Sequence, residues 1–373
     1  MGKFDENFKQ LIHAIESGGY KYKTKSRPNE TFTQLDASIV SYDLTDKTVP
    51  LLTVKETNFK NIFTELLWFL KRDDNIEFMV RNHCNIWNKD AYTYYKRICN
   101  HQGMKKMSFK EFEAELKVEG RVDYDKPEGY EIGDTGAQYP RLWRHFGSEL
   151  EWESGVDQIT NLIEGIKKNP FSRRHIVTAW NPTTVDDMAL PACHTGFSVV
   201  VKPLDIWAKL NILEEDEGYK KSLRNEAIKN NDKEAMRIIK EICKDIPDNG
   251  ISLYWKQRSV DTVLGLPYNT ASYATLTYLI GALTKTVPLK VTGFLENVHL
   301  YSSHKEAIEK IKKNPSNLPH PKISYSSELL TELDSYHNDN INIDDLINSL
   351  DVGDIKVVDY KSQGKVPANM IPE

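Results

Sequence analysis

Residues 57 to 72 read TNFKNIFTELLWFLKR, with Phe59, Ile62, Phe63, Leu66, Leu67 and Leu70 at three-to-four spacing and Trp68 and Phe69 between them. The spacing predicts a helix with little polar surface, and a helix that is apolar nearly all round must be wrapped by other elements. The chain has to build a large core around it. Its 373 residues, 39% of them hydrophobic, suffice for one large domain or two ordinary ones. Glu65 interrupts the apolar run, where an unpaired buried carboxylate would be costly. It is either at a solvated helix edge or in an apolar cleft, where a raised pKa suits proton transfer.

Phe8, Leu11, Ile12 and Ile15 predict a second helix over 5–17, and further helices are expected at 157–168, 271–283 and 303–313. Asn169 before Pro170 and Asn314 before Pro315 act as helix stops. Alternating or β-branched runs predict strands at 33–42, 175–180, 197–201, 251–256, 290–294 and 354–360. Helices and strands mixed without a strict βαβ rhythm point to an α/β or α+β fold on a mixed β-sheet flanked by helices.

Two stretches differ from the rest. Residues 92–132 are rich in Lys, Glu, Tyr and Gly, and Ser108 with Glu111 forms a capping box that could start a short helix. Residues 202–250 hold 10 basic and 11 acidic side chains, with a helical stripe through Ala235, Met236, Ile239 and Ile242. Near-neutral alternation of this kind predicts a solvated helical excursion rather than a nucleic-acid arm. Setting both aside leaves roughly 280 residues, within reach of a single core. The expectation is one domain spanning 1–373 with insertions at about 92–132 and 202–250.

The balance of 54 acidic and 49 basic residues supplies no global positive field, so dedicated nucleic-acid binding is not expected. No run approaches the ~18 apolar residues of a membrane span, and no secretory signal opens the chain. Cys84, Cys99, Cys193 and Cys243 are scattered, without a CxxC pair or His at zinc spacing, so neither disulfides nor a metal are expected. A soluble protein of the reducing cytoplasm is the expectation.

Candidate chemistry begins at Cys193 and His194, which precede an apolar strand. Taken alone, a cysteine there reads first as an inert buried thiol. Its company is Gln257, Arg258, Ser259 and Asp261, with Arg173 and Arg174 at a helix-to-strand junction. Guanidinium forks suit phosphate, and a nearby cation lowers a thiol pKa. Asn269, in the run GLPYN that begins at Gly265, is either a helix N-cap or a reader of a pyrimidine edge, since it can both donate and accept. His299 and Tyr301 can hold a sugar hydroxyl.

The order of these motifs carries more than any one of them. Residues 65–70 (ELLWFL), Ile86 with Trp87, Gln138 and Tyr139 followed by Trp143 and Arg144, and Ser172 with Arg173 and Arg174 come first. Cys193 with His194, Gln257 to Asp261, residues 265–273 (GLPYNTASY), and His299 with Tyr301 follow. The series resembles the thymidylate synthase family, which includes the pyrimidine nucleotide hydroxymethylases, from about Arg27 to the C-terminus.

The resemblance implies a sheet-on-sheet homodimer that binds dUMP and, as co-substrate, 5,10-methylenetetrahydrofolate, without a metal. Cys193 would add to C6 of the base and make C5 nucleophilic. Arg258 would activate the thiol and, with Gln257, Ser259, Arg27 and the partner-contributed pair Arg173 and Arg174, grip the nucleotide. Glu65, His194 and Tyr139 would handle proton transfers. Lys55, Trp87, Asp261 and Gly265 match folate-side positions, and His299 and Tyr301 would hold the ribose. Asn269 implies uracil, where Asp would imply cytosine. The implied location is the cytoplasm, a host's if the chain is viral.

The chain departs from the synthase pattern at several points. Ala192 replaces Pro before the cysteine, Ser198 and Val199 replace Gln and Phe, Glu296 and Asn297 replace Gly and Asp, and residues 370–373 are not the usual apolar terminus. Some of these positions are expected to line or close the pocket, and a looser site favours capture of water over hydride. The expected product is therefore 5-hydroxymethyl-dUMP, with dTMP from a thymidylate synthase as the alternative. A third reading is a family member that binds nucleotide or RNA without turnover.

Overall fold

The structure, a computed structural model, describes residues 3–118, 129–147, 155–213, 217–229 and 232–369. Its strands are β1 (Tyr20–Tyr22), β2 (Phe32–Asp43), β3 (Ile176–Thr178), β4 (His194–Pro203), β5 (Asn249–Gln257), β6 (Val260–Asp261), β7 (Val287–Tyr301), β8 (Lys322–Tyr325) and β9 (Ile355–Val358). Seven form one sheet in the order β1-β2-β7-β5-β4-β3, with β6 beside β7. β5 and β6 run parallel to β7 while the other pairs are antiparallel, so the sheet is mixed. The predicted strand near 354–360 lies outside it, as β9 paired with β8.

Helices cover one face. Phe59–Leu70, started by the Asn58 side chain accepting from the Asn61 N–H, buries Leu66, Leu67 and Trp68 completely. Gly265–Thr284 lies between that helix and the sheet and is buried on almost every side, which explains why it has no polar stripe. Trp255 of β5 stacks on its Tyr273 with ring centroids 5.2 Å apart. Gly293, opposite Trp255 on β7, makes this packing fit: a Cβ there would come within 2.3 Å of the indole. Helices Lys3–Gly18, Gln158–Lys168 and Lys305–Lys313 also follow the predicted periodicity.

The opposite face of the sheet presents Ile39, Ile176, Val200 and Phe294, exposed by 66, 60, 52 and 44%. Ile39 and Phe294 are cross-strand partners there, and apolar side chains exposed to this degree make a surface that water does not favour.

β4 and β5 pair to their ends, Lys202 with Gly250 and Pro203 with Asn249, so the predicted boundary residues of the second stretch belong to the sheet. Between them run helices Ile206–Ile212, Glu217–Lys229 and Lys233–Ile242. These are not merely solvated: Leu210, Leu223, Ala227, Ala235, Ile239 and Cys243 bury one another in a small core of their own. In the first stretch Ser108 and Glu111 complete the capping box of helix Phe109–Glu115, and Phe112 packs into the main core. Among the described residues no helix is long and apolar enough to cross a membrane.

Candidate active site

A cavity of about 360 Å³ opens where the ends of β4, β5, β6 and β7 meet helices Phe59–Leu70 and Gly265–Thr284. Strand register assembles its polar wall. His194 is the cross-strand partner of Gln257, and Asp261 is that of His299, so motifs distant in sequence become neighbours. Arg27, Glu65, Trp87, Tyr139, Cys193, His194, Gln257, Ser259, Asp261, Gly265, Asn269, His299 and Tyr301 all line it.

Cys193 immediately precedes β4, whose register with β5 shifts between His194 and Gly196. Gly196 has φ +150°, and a Cβ there would lie 2.5 Å from the Val177 carbonyl oxygen. The loop can pass that close to β3 only with glycine. The Tyr139 hydroxyl accepts from the His194 backbone N–H at 3.0 Å, tying the cysteine loop to helix Tyr139–Arg144.

Burial sets the protonation of the wall. It pushes the Glu65 carboxyl up to about 7, and the hydrogen bond from the Trp87 indole opposes it in part. It pulls His194 down to about 4 despite a hydrogen bond with Asn269, so this ring is neutral near pH 7. It holds the Tyr139 hydroxyl protonated, with the neighbouring Cys193 acting in the same direction. Glu65 alone of these three can exchange a proton readily near neutrality.

At the other end Arg27 donates to the Tyr301 hydroxyl at 2.5 Å. His299 Nδ1 faces the Asn297 carbonyl at 2.8 Å and must donate to it, which leaves Nε2 as an acceptor without a protein partner among the described residues. Burial lowers the His299 pKa. A hydroxyl of a ligand is the natural complement.

Four predicted site residues do not reach the wall. Arg258 points back: Nε donates to Ala192 O at 3.0 Å, Nη2 donates to Pro191 O at 2.9 Å, and the guanidinium lies 5.5 Å over the Trp180 ring. Lys55 is buried behind the wall, donating to the Val263 carbonyl at 2.7 Å, and burial lowers its pKa to about 8 against the attraction of Asp261. Arg173 and Arg174 are exposed in the turn before β3. Arg258, just past the end of β5, and Lys55, in the bend before helix Phe59–Leu70, each take nearby backbone carbonyls instead.

The departures at Ala192, Ser198, Val199, Glu296 and Asn297 also lie off the cavity wall, contrary to the expectation that some of them line it. Ala192 and Val199 are buried in the main core, and Glu296 pairs with Lys256 at the surface. The departure at 370–373 is outside the described residues. Wall residues that the sequence did not single out include Asp90, Leu190, Leu264, Tyr268 and Ala368. Tyr268 stood inside the GLPYN run, whereas nothing local marked Ala368.

The family model described as thymidylate synthase matches residues 6–372. The chain belongs to the thymidylate synthase family. Among its relatives, a thymidylate synthase of Mesoplasma florum is 36% identical over 327 residues, 87% of this chain and 90% of the relative. One of Staphylococcus haemolyticus is 31% identical over 346 residues, 88% and 92%. One of Phytoplasma mali is 34% identical over 275 residues, 74% of each. Membership makes this chain a one-carbon transferase.

Proposed function

We propose that this chain converts dUMP to dTMP with 5,10-methylenetetrahydrofolate, as a thymidylate synthase. The observation that carries the reading is the convergence of Cys193, Glu65, Asn269, His299, Tyr301 and Arg27 on one cavity. The names of the relatives favour dTMP over the hydroxymethyl product that the sequence departures suggested, and the premise for that product weakens once those departures lie off the wall.

Cys193 attacks C6 of the uracil, and the displaced electron pair makes C5 nucleophilic. The folate supplies the one-carbon unit and the final hydride, leaving as dihydrofolate. Glu65 exchanges protons at the base, including the chain of transfers that removes the C5 proton, because it is the wall group poised near neutrality. His194, neutral, orients Asn269 toward the uracil edge. His299 and Tyr301 hold the ribose, and Arg27 and Ser259 meet the phosphate end. Arg258 braces the Cys193 loop through two carbonyls. Departure of the Cys193 sulfur from C6 restores the ring.

The exposed apolar face of the sheet supports a homodimer formed sheet against sheet, with Arg173 and Arg174 of a second copy completing the phosphate grip. The whole chain reads as one catalytic domain with additions near 92–132 and 202–250.

The test is incubation with dUMP and methylenetetrahydrofolate, with nucleotide mass and folate product measured together. A methylated nucleotide with dihydrofolate supports the reading; a hydroxymethylated one with tetrahydrofolate overturns it in favour of a hydroxymethylase. Failure to form a covalent complex with 5-fluoro-dUMP and the folate would leave a binding protein.

A further inference from the structure

Asn297 lies within β7 at φ +50°, a conformation uncommon for any residue but glycine and tolerated best by asparagine, aspartate and histidine. Three of its polar groups are engaged there. Nδ2 donates to the Arg258 carbonyl at 2.8 Å, Oδ1 accepts from Gln34 Nε2 at 2.9 Å, and the backbone carbonyl accepts from His299 Nδ1 at 2.8 Å. Gln34 stands directly opposite His299 in the β2–β7 register and is 3% exposed, while Asn297 is exposed in the single chain.

The direction of these bonds is forced. A carbonyl only accepts, so the Asn297 amide turns its NH2 to Arg258 and its oxygen to Gln34, which must answer with its own NH2. The second Gln34 N–H donates to the Tyr20 hydroxyl at 2.6 Å, and Gln34 Oε1 accepts from the Tyr22 hydroxyl at 2.6 Å. One end of this chain of bonds is therefore β1, which leads through residues 23–31 and Arg27 into β2. The other end is the Arg258 peptide, whose N–H donates to Cys193 O at 2.9 Å and whose side chain takes the Pro191 and Ala192 carbonyls. Arg27 and Cys193 both line the cavity; Gln34 and Asn297 stand behind it.

We propose that Gln34 and Asn297 are positioning residues for the nucleophile, whose linked amides tie the strands flanking Arg27 to the Arg258 peptide and so fix the Cys193 loop relative to the phosphate end of the nucleotide. A misplacement of about 1 Å in a reacting group costs up to about 10²-fold in rate, so groups that hold the loop by its backbone act on the thiol without touching the nucleotide. Asn297 stands where the synthase pattern has Asp, and a carboxylate has no N–H for the Arg258 carbonyl, so the asparagine supplies a bond that the usual residue does not. The inference rests on the proposed synthase reaction.

The test is the rate at which the full chain forms the covalent complex with saturating 5-fluoro-dUMP and methylenetetrahydrofolate, alongside the KM for methylenetetrahydrofolate and thermal unfolding. The variants are Asn297→Asp, Asn297→Gly, Gln34→Glu, and Gln34→Glu combined with Asn297→Gly. Aspartate still accepts from Gln34 but cannot donate to Arg258; glycine adopts φ +50° without strain and removes both side-chain bonds; glutamate accepts from both tyrosines but cannot donate to Asn297. Positioning predicts that Asn297→Asp and Asn297→Gly each slow the complex about tenfold and leave the KM for methylenetetrahydrofolate within about twofold. Gln34→Glu slows it similarly alone and adds nothing in the Asn297→Gly background. Variants that lose thermal stability yet form the complex at the wild-type rate have lost a structural contact only, and overturn the proposal. Additive effects in the double variant overturn it as well. A wild-type chain that forms no complex overturns the synthase reading together with this one, whereas an active wild type with unaffected or additive variants overturns the positioning alone.

Discussion

The indole Nε1 of Trp87 donates to Glu65 Oε1 at 2.7 Å, so the one carboxyl in the apolar helix Phe59–Leu70 is both raised in pKa by burial and partly restrained by its neighbour. The bond favours the ionised form. Acting as a base, Glu65 makes kcat/KM rise with pH through about 7. Trp87→Phe removes the restraint, so the acidic limb moves to higher pH. Glu65→Gln lowers kcat by about 10² to 10⁴-fold. A pH–rate profile of wild type and Trp87→Phe checks the direction, and an unmoved limb rejects Glu65 as the titrating group.

Asn269 is held by His194, whose depressed pKa keeps the ring neutral. Asn269→Asp inverts the donor and acceptor pattern offered to the base. Turnover of dCMP should rise relative to dUMP, read as the ratio of kcat/KM values. A ratio that does not rise removes Asn269 as the base reader.

Arg258 bridges the carbonyls of Pro191 and Ala192 with two N–H groups of one planar fork. Lysine cannot span both. Arg258→Lys should therefore lower kcat about 10²-fold through misplacement of Cys193, and slow the adduct with 5-fluoro-dUMP, while thermal unfolding stays close to wild type. A variant that forms the adduct at the wild-type rate contradicts the bracing role.

Arg144 is buried, donates to Asp157 from Nε and Nη2 at 3.0 Å each, and also bonds Asp344 and the Leu70 carbonyl. Burial alone would raise the Asp157 pKa, but Arg144 together with the Thr160 N–H and Arg72 outweighs it and holds the carboxyl at about 2. A depressed carboxylate stabilises the fold above its unfolded pKa of about 3.9, and that contribution is lost as pH falls through about 2. Arg144→Met leaves Asp157 and Asp344 with Arg72 as their remaining cation and should destabilise by about 1–3 kcal/mol at neutral pH. Denaturant unfolding at pH 7 and under acid conditions measures both parts.

Val200 is half exposed on the open face of the sheet. Val200→Lys should shift the proposed sheet-on-sheet dimer toward monomer in sedimentation velocity, with dUMP affinity falling alongside because each site would lose the Arg173 and Arg174 proposed to come from the other copy. A variant that remains dimeric moves the interface elsewhere.

Much of the fold was written in local pattern. Period 3.6 at Phe59, Ile62, Phe63 and Leu66, and alternation along 33–42, survive into the structure because a helix or strand needs only its own face to be apolar. The polar residues of the cavity wall were mostly legible as motifs, since each needs particular chemistry at one position, whereas Asp90 and Ala368 carried no local mark. What the sequence could not carry was direction and distance across the sheet. Only the order β2-β7-β5-β4 sets Arg27, Cys193, Gln257 and His299 around one space. The same order sets Arg258, just past the end of β5, onto the carbonyls of the Cys193 loop and leaves Ala192 and Val199 behind the wall. It also let residues 202–250, which looked solvated by charge count, bury Leu210, Leu223 and Ile239 against one another. Periodicity is fixed by a residue's near neighbours; which wall a side chain joins depends on strands paired from opposite ends of the chain, and that is settled by tertiary packing alone.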